Sequence, residues 1–538
     1  MRRPSRGPRL LLFALILGVA VAFFSLAQTN PQINDTIGYA FAGQQIASGH
    51  GLALVDSNEL TGGAYFSMFA YPVEREGDLR PFFGFPPGLP LLLGAGALLS
   101  GNMDAVYYVV PLLAVAGLIM TYLLGTELGK NEWVGLWAAL LLAVTPAYWR
   151  FGTAPWSEVP SLFFIAAGVY LYLRSRRALG AHSVSPLILS FLAALFLGYS
   201  FFLRYTNVLV VPALGLYELW SARQKLWQER QRWSFFFFLG IALAAIPLFN
   251  HFYYGGPFLT SYSPVHGWYP QPAFSLSYAL GPSFVNGFSL SAIGRSLWQN
   301  FYLLLFLVPI GWLLLPRAAG ILSAGASLAT FALYAVYAFA AGDVNSRFLL
   351  PVFPFLTVAM ARALVAIGAR LPGRRLRIAG GALLLALLSL FIPQHVNFLE
   401  ARAASSRALV THVETITGGT EQDAVFLSYV YNDAIIYYGN RSVLNYRRIP
   451  PSDPARGRYR WELLEPCMAQ TVRTLLLAGV PVYFVEDASP PLADSLVRLQ
   501  KYFSLQKVEE GSTVYRIQLP PPDADYPLPG TCPLSIIS

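Results

Sequence analysis

Apolar residues dominate the first three quarters of the chain, in long runs that recur until about residue 397 and then stop. Most runs have 16 to 22 residues, close to the roughly 20 that an α-helix needs to cross a hydrocarbon core of about 30 Å. In the run 234–249 (SFFFFLGIALAAIPLF) no polar stripe interrupts the apolar surface, which argues against an amphipathic helix of a soluble protein. The pattern predicts eleven membrane-spanning helices, at residues 10–28, 105–125, 133–149, 159–173, 186–203, 205–220, 233–253, 300–315, 320–341, 348–369 and 378–393.

Two segments near the start decide the topology. Residues 10–28 follow a basic N-terminus, as a signal peptide does, but the many spans behind them favour an uncleaved first helix. Residues 86–100 are apolar, short and headed by prolines. We interpret them as a juxtamembrane or re-entrant helix, because counting them as a span would reverse the side of every later loop.

The distribution of basic residues supports the eleven-span topology. With the N-terminus in the cytoplasm, the inner loops hold 17 basic and four acidic residues, whereas the outer side of residues 1–397 holds six basic and nine acidic residues. Cytoplasmic loops of membrane proteins carry an excess of Lys and Arg. We therefore predict a multi-pass protein of the plasma (inner) membrane, with a cytoplasmic N-terminus.

Residues 398–538 have a different pattern. Strand-like runs at 424–428, 480–485 and 513–517 alternate with helical patterns at 473–478 and 492–502, which is typical of a small α/β domain. The fold class that we predict is thus an α-helical polytopic membrane protein (1–397, with outer loops 29–104 and 254–299) with an extracytoplasmic α/β domain (398–538). The only two cysteines, Cys467 and Cys532, lie in this domain, and both a disulfide and two free thiols stay open.

Composition narrows the functional class. Only 12% of the residues are charged and 55% are hydrophobic, and the formal net charge is +9. A basic excess often points to nucleic acid, but here it lies in the predicted inner loops, so we expect no nucleic-acid partner. The chain has no GxxxxGK[ST] sequence, so it carries no phosphate-binding loop for ATP-driven transport. Its six histidines show no metal-binding spacing.

Four ionisable residues stand at the predicted outer ends of spans: Asp35, Glu158, Arg204 and Arg347. Charged groups at such positions are costly and often functional. A carboxylate can accept the proton of an attacking hydroxyl, and an arginine can hold a phosphate in bidentate fashion. The four together therefore suit transfer of a group from a phosphate. Taken singly, each can instead cap or anchor a helix at the membrane interface.

The order of these positions resembles the GT-C class of integral-membrane glycosyltransferases, specifically glycosyltransferase family 39, which includes protein O-mannosyltransferases and the aminoarabinose transferase of lipid A. The sequence departs from the family where Thr36 follows Asp35, since an Asp-Glu pair is frequent there. No large lumenal repeat domain interrupts the spans, so the resemblance is to bacterial or archaeal members. The segments that carry the resemblance are Asp35 with Tyr39, 85–91, 157–160, 204–207, 250–257 and 342–351.

The resemblance implies a polyprenyl-phosphate-linked sugar as donor, a lipid, glycan or protein hydroxyl as acceptor, and inversion at the anomeric carbon in a single displacement. It implies that Asp35 is the base, that Glu158 assists it, and that Arg204 and Arg347 hold the donor phosphate. A divalent metal, if one takes part, would be held by Asp35 and Glu158. The residues expected to line the substrate pocket are Tyr39, Tyr205, Asn207, Asn250 and Tyr262.

Two other functions are considered. An O-antigen-type ligase or polymerase also uses outer arginines and lipid-linked sugars, but its chemistry would need a charged late loop, and 254–299 holds only Arg295 and His266 as ionisable side chains other than tyrosine. A lipid or sugar transporter would need polar groups along its spans and often repeated halves. The candidate charges here lie at span ends, which favours the glycosyltransferase.

Overall fold

A computed structural model of the chain describes eleven stretches, and the statements below concern those residues. Tyr262 and Cys532 lie outside them, and the side chain of Cys467 is also not described. The predicted domain boundary at residue 397 falls inside a continuous helix and stays a prediction. The described stretches are 6–52, 70–75, 78–178, 186–222, 230–260, 273–281, 289–338, 343–428, 431–445, 461–486 and 495–521.

Helices make up most of the chain up to residue 417, and each predicted span coincides with one or more of them. Short 3₁₀ segments, Met103–Tyr107, Tyr205–Leu209, Tyr302–Phe306 and Asp343–Val352, join several of the helices. The α-helices are α1 Arg6–Ser25, α2 Asn34–Ala47, α3 Gly88–Ser100, α4 Val109–Gly129, α5 Glu132–Ala143, α6 Pro146–Gly152, α7 Glu158–Ala178, α8 Pro186–Leu203, α9 Val210–Ala222, α10 Arg230–Tyr254, α11 Ser277–Leu280, α12 Ser289–Phe301, α13 Leu307–Leu314, α14 Arg317–Ala335, α15 Phe353–Arg370, α16 Arg374–Ser389 and α17 Ile392–Thr417.

Among the described residues, eight helical segments are long and apolar enough to cross a membrane, or nine if one bent pair counts as a single span. The predicted spans 159–173 and 205–220 are not among them. The helix that covers residues 159–173 carries a glutamate at one end and three arginines at the other. The span predicted at 205–220 is divided into a 3₁₀ turn and a 13-residue helix. The chain is a helical, multi-pass membrane protein.

The predicted span 133–149 is not straight. It consists of α5 and α6, which meet at an angle of 68°. The break has a local cause, because a residue that precedes proline is pushed out of the helical region. Thr145 accordingly has φ −73° and ψ 133°, and Pro146 begins the new helix. After the bend, α6 contacts α7, the helix that begins with Glu158.

The proline-headed segment forms α3, an apolar helix of 13 residues that is too short to count as a span. Its first residue lies directly against the end of α8. A Cβ on Gly88 would lie 2.5 Å from the carbonyl carbon of Phe202, and the Gly88 carbonyl accepts a hydrogen bond of 2.8 Å from Tyr199. Glycine is required here because two backbones approach closely. The contact fixes the chain just before Arg204.

Another close approach joins α13 and α15. A Cβ on Gly311 would overlap the backbone of Ala359. Small residues at helix crossings allow backbones to touch, which is the usual way in which helices pack inside a membrane. Helix α15 is itself deeply buried from Phe353 to Ala361, so it forms the centre of the bundle.

The C-terminal region contains the predicted α/β domain. Three parallel strands and two antiparallel ones form one sheet, in the spatial order 442–445, 425–428, 482–485, 514–518 and 504–507. One face of the sheet packs on α17 and on the helix 432–439. This short helix also packs on α2, so it connects the domain to the helix that carries Asp35. A separate hairpin, β1 Ala70–Arg75 and β2 Asp78–Phe83, lies in the first long loop. The remaining elements are β3 Val425–Ser428, α18 Asn432–Gly439, β4 Ser442–Asn445, α19 Trp461–Leu477, β5 Val482–Val485, α20 Ser495–Gln500, β6 Ser504–Lys507 and β7 Val514–Gln518.

Candidate active site

The four candidate residues each stand at or near the start of a helical segment. Asp35 and Glu158 lie in the first turns of α2 and α7, where the positive end of the helix dipole stabilises a carboxylate. Arg204 precedes the 3₁₀ turn that follows α8. Arg347 lies within the 3₁₀ segment that leads into α15. Four distant parts of the chain are thus brought to one place.

The structure joins these residues in a continuous chain of ion pairs. Arg347 Nη2 donates to Asp35 Oδ2 at 2.7 Å, and Arg347 Nε lies 3.0 Å from Glu158 Oε1. The same Glu158 oxygen lies 2.5 Å from Arg204 Nη1. The order is therefore Asp35, Arg347, Glu158 and Arg204, two carboxylates and two guanidiniums with no formal net charge.

The four residues of this chain of ion pairs are buried to different extents. The Glu158 side chain is 1% exposed, the two arginines about a tenth, and Asp35 18%. Buried charges are stable only when they are paired, which explains why Glu158 contacts both arginines. Asp35 is the most accessible member, which suits a group that has to meet an acceptor.

Aromatic rings hold the guanidiniums in place. The Cζ atom of Arg347 lies 3.9 Å from the centre of the Trp156 ring, and Arg204 lies 4.7 Å from that of Phe348. A guanidinium stacks well on an aromatic face and keeps its hydrogen-bonding edge free to act. Trp156 and Phe348 are therefore part of the site. In the sequence they lie close to two of its charged residues, Glu158 and Arg347.

Hydroxyl groups form a second ring of contacts. Ser157 Oγ accepts from Arg204 Nη1 at 3.3 Å and from the Tyr39 hydroxyl at 3.5 Å. Arg204 Nη2 donates to the Tyr334 hydroxyl at 3.4 Å, which lies 2.9 Å from Thr206 Oγ1. Burial, with the nearby Glu158 charge, raises the pKa of the Tyr39 hydroxyl, so that this group stays protonated and acts as a hydrogen-bond donor.

Two atoms of the ion-pair chain have spare hydrogen-bonding capacity. Within the described part of the protein, Glu158 Oε2 and Arg347 Nη1 are buried and have no hydrogen-bond partner. Buried polar atoms are nearly always satisfied, so an unsatisfied one calls for an explanation. A buried donor and a buried acceptor in one site fit a polar ligand that would supply the missing partners.

The geometry does not favour a metal between Asp35 and Glu158. The Arg347 guanidinium contacts both carboxylates, so a positive charge already fills the position that a cation would take. No group of three or more His, Cys, Asp or Glu side chains in the described stretches is arranged to bind a metal.

The other residues predicted to line the substrate pocket do not all lie near the four charges. Tyr205 and Asn207 follow Arg204 directly, and Asn207 lines a small pocket together with Thr206, Tyr334 and other residues. The Asn207 amide donates to the Ser200 carbonyl at 2.7 Å, so it also holds the end of α8. Asn250 lies near the end of α10, buried, and its Oδ1 has no hydrogen-bond partner among the described residues. The structure shows no contact between Asn250 and the four charges, and Tyr262 lies outside the described residues.

Sequence reasoning missed three members of the site. Trp156 and Phe348 flank predicted residues, and their aromatic character beside a glutamate or an arginine was a usable signal. Tyr334 lies within the predicted span 320–341, more than a hundred residues from Arg204, and no sequence pattern connects the two.

Comparisons with known proteins agree with this arrangement. The sequence profile of the dolichyl-phosphate-mannose-protein mannosyltransferase family matches residues 102–258, which include Glu158 and Arg204. No curated protein sequence matches the chain significantly. A crystal structure of ArnT from Cupriavidus metallidurans, bound to undecaprenyl phosphate, superposes over 96% of this chain and 98% of that one, with a TM-score of 0.61 and 13% identity.

The oligosaccharyltransferase AglB from Archaeoglobus fulgidus, solved with an inhibitory peptide and a dolichol-phosphate, is also similar. The match covers 93% of this chain and 73% of AglB, with a TM-score of 0.54 and 12% identity. The chain has the GT-C fold. The resemblance inferred from the sequence is thereby confirmed. The likeness to ArnT extends over the C-terminal domain, because the match covers nearly the full length of both chains.

Proposed function

We propose that this protein is a membrane glycosyltransferase that moves a sugar from a polyprenyl-phosphate donor to an acceptor hydroxyl. The observation that carries the proposal is the buried chain Asp35, Arg347, Glu158 and Arg204. It provides a carboxylate of partial exposure next to two guanidiniums. The likeness to ArnT and the match to the mannosyltransferase profile support the same chemistry.

The reaction is a single displacement. The oxygen of the acceptor hydroxyl attacks the anomeric carbon, and Asp35 accepts its proton. The bond between that carbon and the phosphate oxygen breaks, and the electron pair leaves with the polyprenyl phosphate. Arg347 and Arg204 stabilise the charge on the departing phosphate, and the configuration at the anomeric carbon is inverted.

Binding of the donor would also prepare the base. In the structure the Asp35 carboxylate is held by Arg347, so the oxygen atom in this pair is not free to meet an acceptor hydroxyl. A phosphate competes for the same guanidinium edge, since arginine forms bidentate pairs with both groups. Asp35 would therefore be released for catalysis when the donor phosphate is in place, while Glu158 keeps the two arginines together.

We propose that this chemistry takes place on the outer face of the plasma membrane, with the N-terminus in the cytoplasm and the C-terminal domain outside. The excess of basic residues in the predicted inner loops supports this topology. Enzyme reporters fused after residue 178 and after residue 400 test this topology. We expect a cytoplasmic signal from the first and an extracytoplasmic one from the second. The opposite pattern would refute the proposed topology.

The decisive activity experiment is Asp35→Asn. The variant keeps the size of the side chain but removes the proton acceptor, so transfer from a polyprenyl-phosphate sugar in membranes should fall by about 10²–10⁴-fold. Undecaprenyl phosphate should still bind, because both arginines remain. Glu127→Gln, in a buried carboxylate at the other end of the helices, is the matched control and should transfer at the parent rate. Full transfer by Asp35→Asn would refute the proposal.

A further inference from the structure

The short helix α6 lies between the bend at Thr145 and Trp156, and it has only seven residues. A helix of this length is not stable by itself. Its own N-terminal residue does not cap it, since the Thr145 hydroxyl donates back to the Leu142 carbonyl at 2.8 Å. The contacts that hold α6 must therefore come from elsewhere in the chain.

Two side chains from distant helices hold its two ends. At the start, Asn300 of α12 accepts a hydrogen bond of 2.9 Å from the Ala147 amide. At the end, Arg402 of α17 donates to the Arg150 carbonyl and to Thr153 Oγ1, both at 2.9 Å. The first amides and last carbonyls of a helix need such external partners, and a cation suits the C-terminal end.

Further contacts connect α17 to the same part of the bundle. His395 lies 3.1 Å from the Val144 carbonyl at the bend. The Gln28 amide donates to the Thr153 carbonyl at 2.7 Å, and its side chain donates to Ser406 of α17 at 3.2 Å. Helix α17 therefore supports both α6 and the linker that leads to Asp35.

The position of α6 is transmitted directly to the ion-pair chain. Phe151 of α6 makes an edge-on contact with Trp156, with 5.6 Å between the ring centres, and Trp156 lies under the Arg347 guanidinium. Glu158 begins α7 two residues later. A shift of α6 would move Trp156 and Glu158 relative to Arg347.

We propose that Asn300 and Arg402 are positioning residues that set the place of Trp156 and Glu158 in the active site. This inference rests on the proposed function for its catalytic consequence. Neither residue contacts the four charges in the described structure. Both act through α6, whose two ends they fix.

A thiol-labelling experiment tests the positioning without relying on activity. Ala154 is fully buried between α6 and Trp156, so Ala154→Cys, in a chain with Cys467→Ser and Cys532→Ser, reports opening of this turn. We expect Arg402→Gln and Asn300→Ala each to raise the maleimide labelling rate by about tenfold or more. Arg402→Lys, which keeps one cationic donor, should label nearly as slowly as the parent. Arg407→Gln, an exposed residue of the same helix, is the control.

Transfer kinetics supply the second readout. A displacement of about 1 Å at the reacting groups costs about 100-fold in rate, so kcat of Arg402→Gln and of Asn300→Ala should fall by that order. Binding of undecaprenyl phosphate should change by less than about threefold, because Arg204 and Arg347 are not on α6. Unfolding midpoints of the detergent-purified variants identify any that fail to fold, and the two ends of α6 give independent variants.

The outcomes separate the two proposals. If Ala154→Cys stays protected in both Arg402→Gln and Asn300→Ala, or if labelling rises while kcat is unchanged, the positioning role is refuted. If the parent protein shows no transfer with any polyprenyl-phosphate sugar, the proposed function fails. Increased labelling in that case would still confirm that the two residues hold α6.

Discussion

Helix α7 has a buried cluster of ion pairs at each end, and the two clusters differ in a way that separates structure from chemistry. At its start, Glu158 belongs to the chain with Arg347, Asp35 and Arg204. At its end, Arg176 lies 2.5 Å from Glu218 of α9. The side chains of this second pair are 6% and 3% exposed, so burial alone does not distinguish the two clusters.

The two clusters differ in which segments of the protein they join and in which buried polar atoms they leave without hydrogen-bond partners. The second cluster links helices that are neighbours in the bundle: Glu218 also accepts from Tyr172, and Glu127 of α4 pairs with Arg177 and Lys130, which are about half exposed. The first cluster joins four distant segments and leaves a buried donor and a buried acceptor without partners in the described structure. Spare hydrogen-bonding capacity on both a carboxylate and a guanidinium, rather than ion pairing alone, therefore distinguishes the first cluster from the second.

The largest effect that tests this comparison is expected from matched substitutions at the two ends of α7. Glu158→Gln and Glu218→Gln each leave a buried arginine without its carboxylate, which costs about 3–5 kcal/mol of stability, so both should lower the midpoint of thermal unfolding in detergent. Only Glu158→Gln should reduce transfer, by about 100-fold. It should bind undecaprenyl phosphate at least as tightly as the parent, because the arginines lose a competitor. An equal loss of transfer in Glu218→Gln would remove the distinction between the clusters.

A smaller effect is expected when an arginine is replaced by lysine at each end. Arg347→Lys keeps the charge but loses the planar fork and the stacking on Trp156. We expect the affinity for undecaprenyl phosphate to fall by about tenfold, which corresponds to about 1.4 kcal/mol. Arg177→Lys should leave this affinity unchanged. If Arg347→Lys binds like the parent protein, the guanidinium is not a phosphate ligand.

The smallest effect is expected at Lys130. Its side chain is 55% exposed although it lies 2.8 Å from Glu127, and exposed ion pairs contribute only about 0–1 kcal/mol. Lys130→Ala should therefore leave both the unfolding midpoint and the transfer rate close to parent values. A clear loss of transfer here would mean that this end of the bundle also takes part in function.

Much of this arrangement is predictable because it depends on local properties of the sequence. Unbroken apolar runs indicate membrane helices, and the basic loops between them indicate which side of the membrane each loop is on. The sequence alone is therefore enough to assign four charged residues to one face of the membrane: Asp35, Glu158, Arg204 and Arg347. The C-terminal strands are recognisable from their alternation with helical patterns, although no such pattern predicts β4 and β6.

The rest depends on contacts that no local pattern encodes. Nothing in the sequence says that Arg347 pairs with both carboxylates, or that Tyr334 reaches Arg204 from the middle of a span. The caps on α6 come from residues about 150 and 250 positions away. The bend before Pro146 has a local signal, the proline itself, but membrane helices tolerate proline, so the apolar pattern predicts one span over 133–149.

The glycine contact between α13 and α15 has a consequence for how a long-chain lipid would reach the site. Where Gly311 meets Ala359, the two backbones touch, so no room remains between these helices for an isoprenoid chain. A donor that moves in sideways from the bilayer must therefore pass on another side of the bundle. Gly311 thus closes the interface between α13 and the central helix α15 at this level, and a larger residue at this position would force the two helices apart.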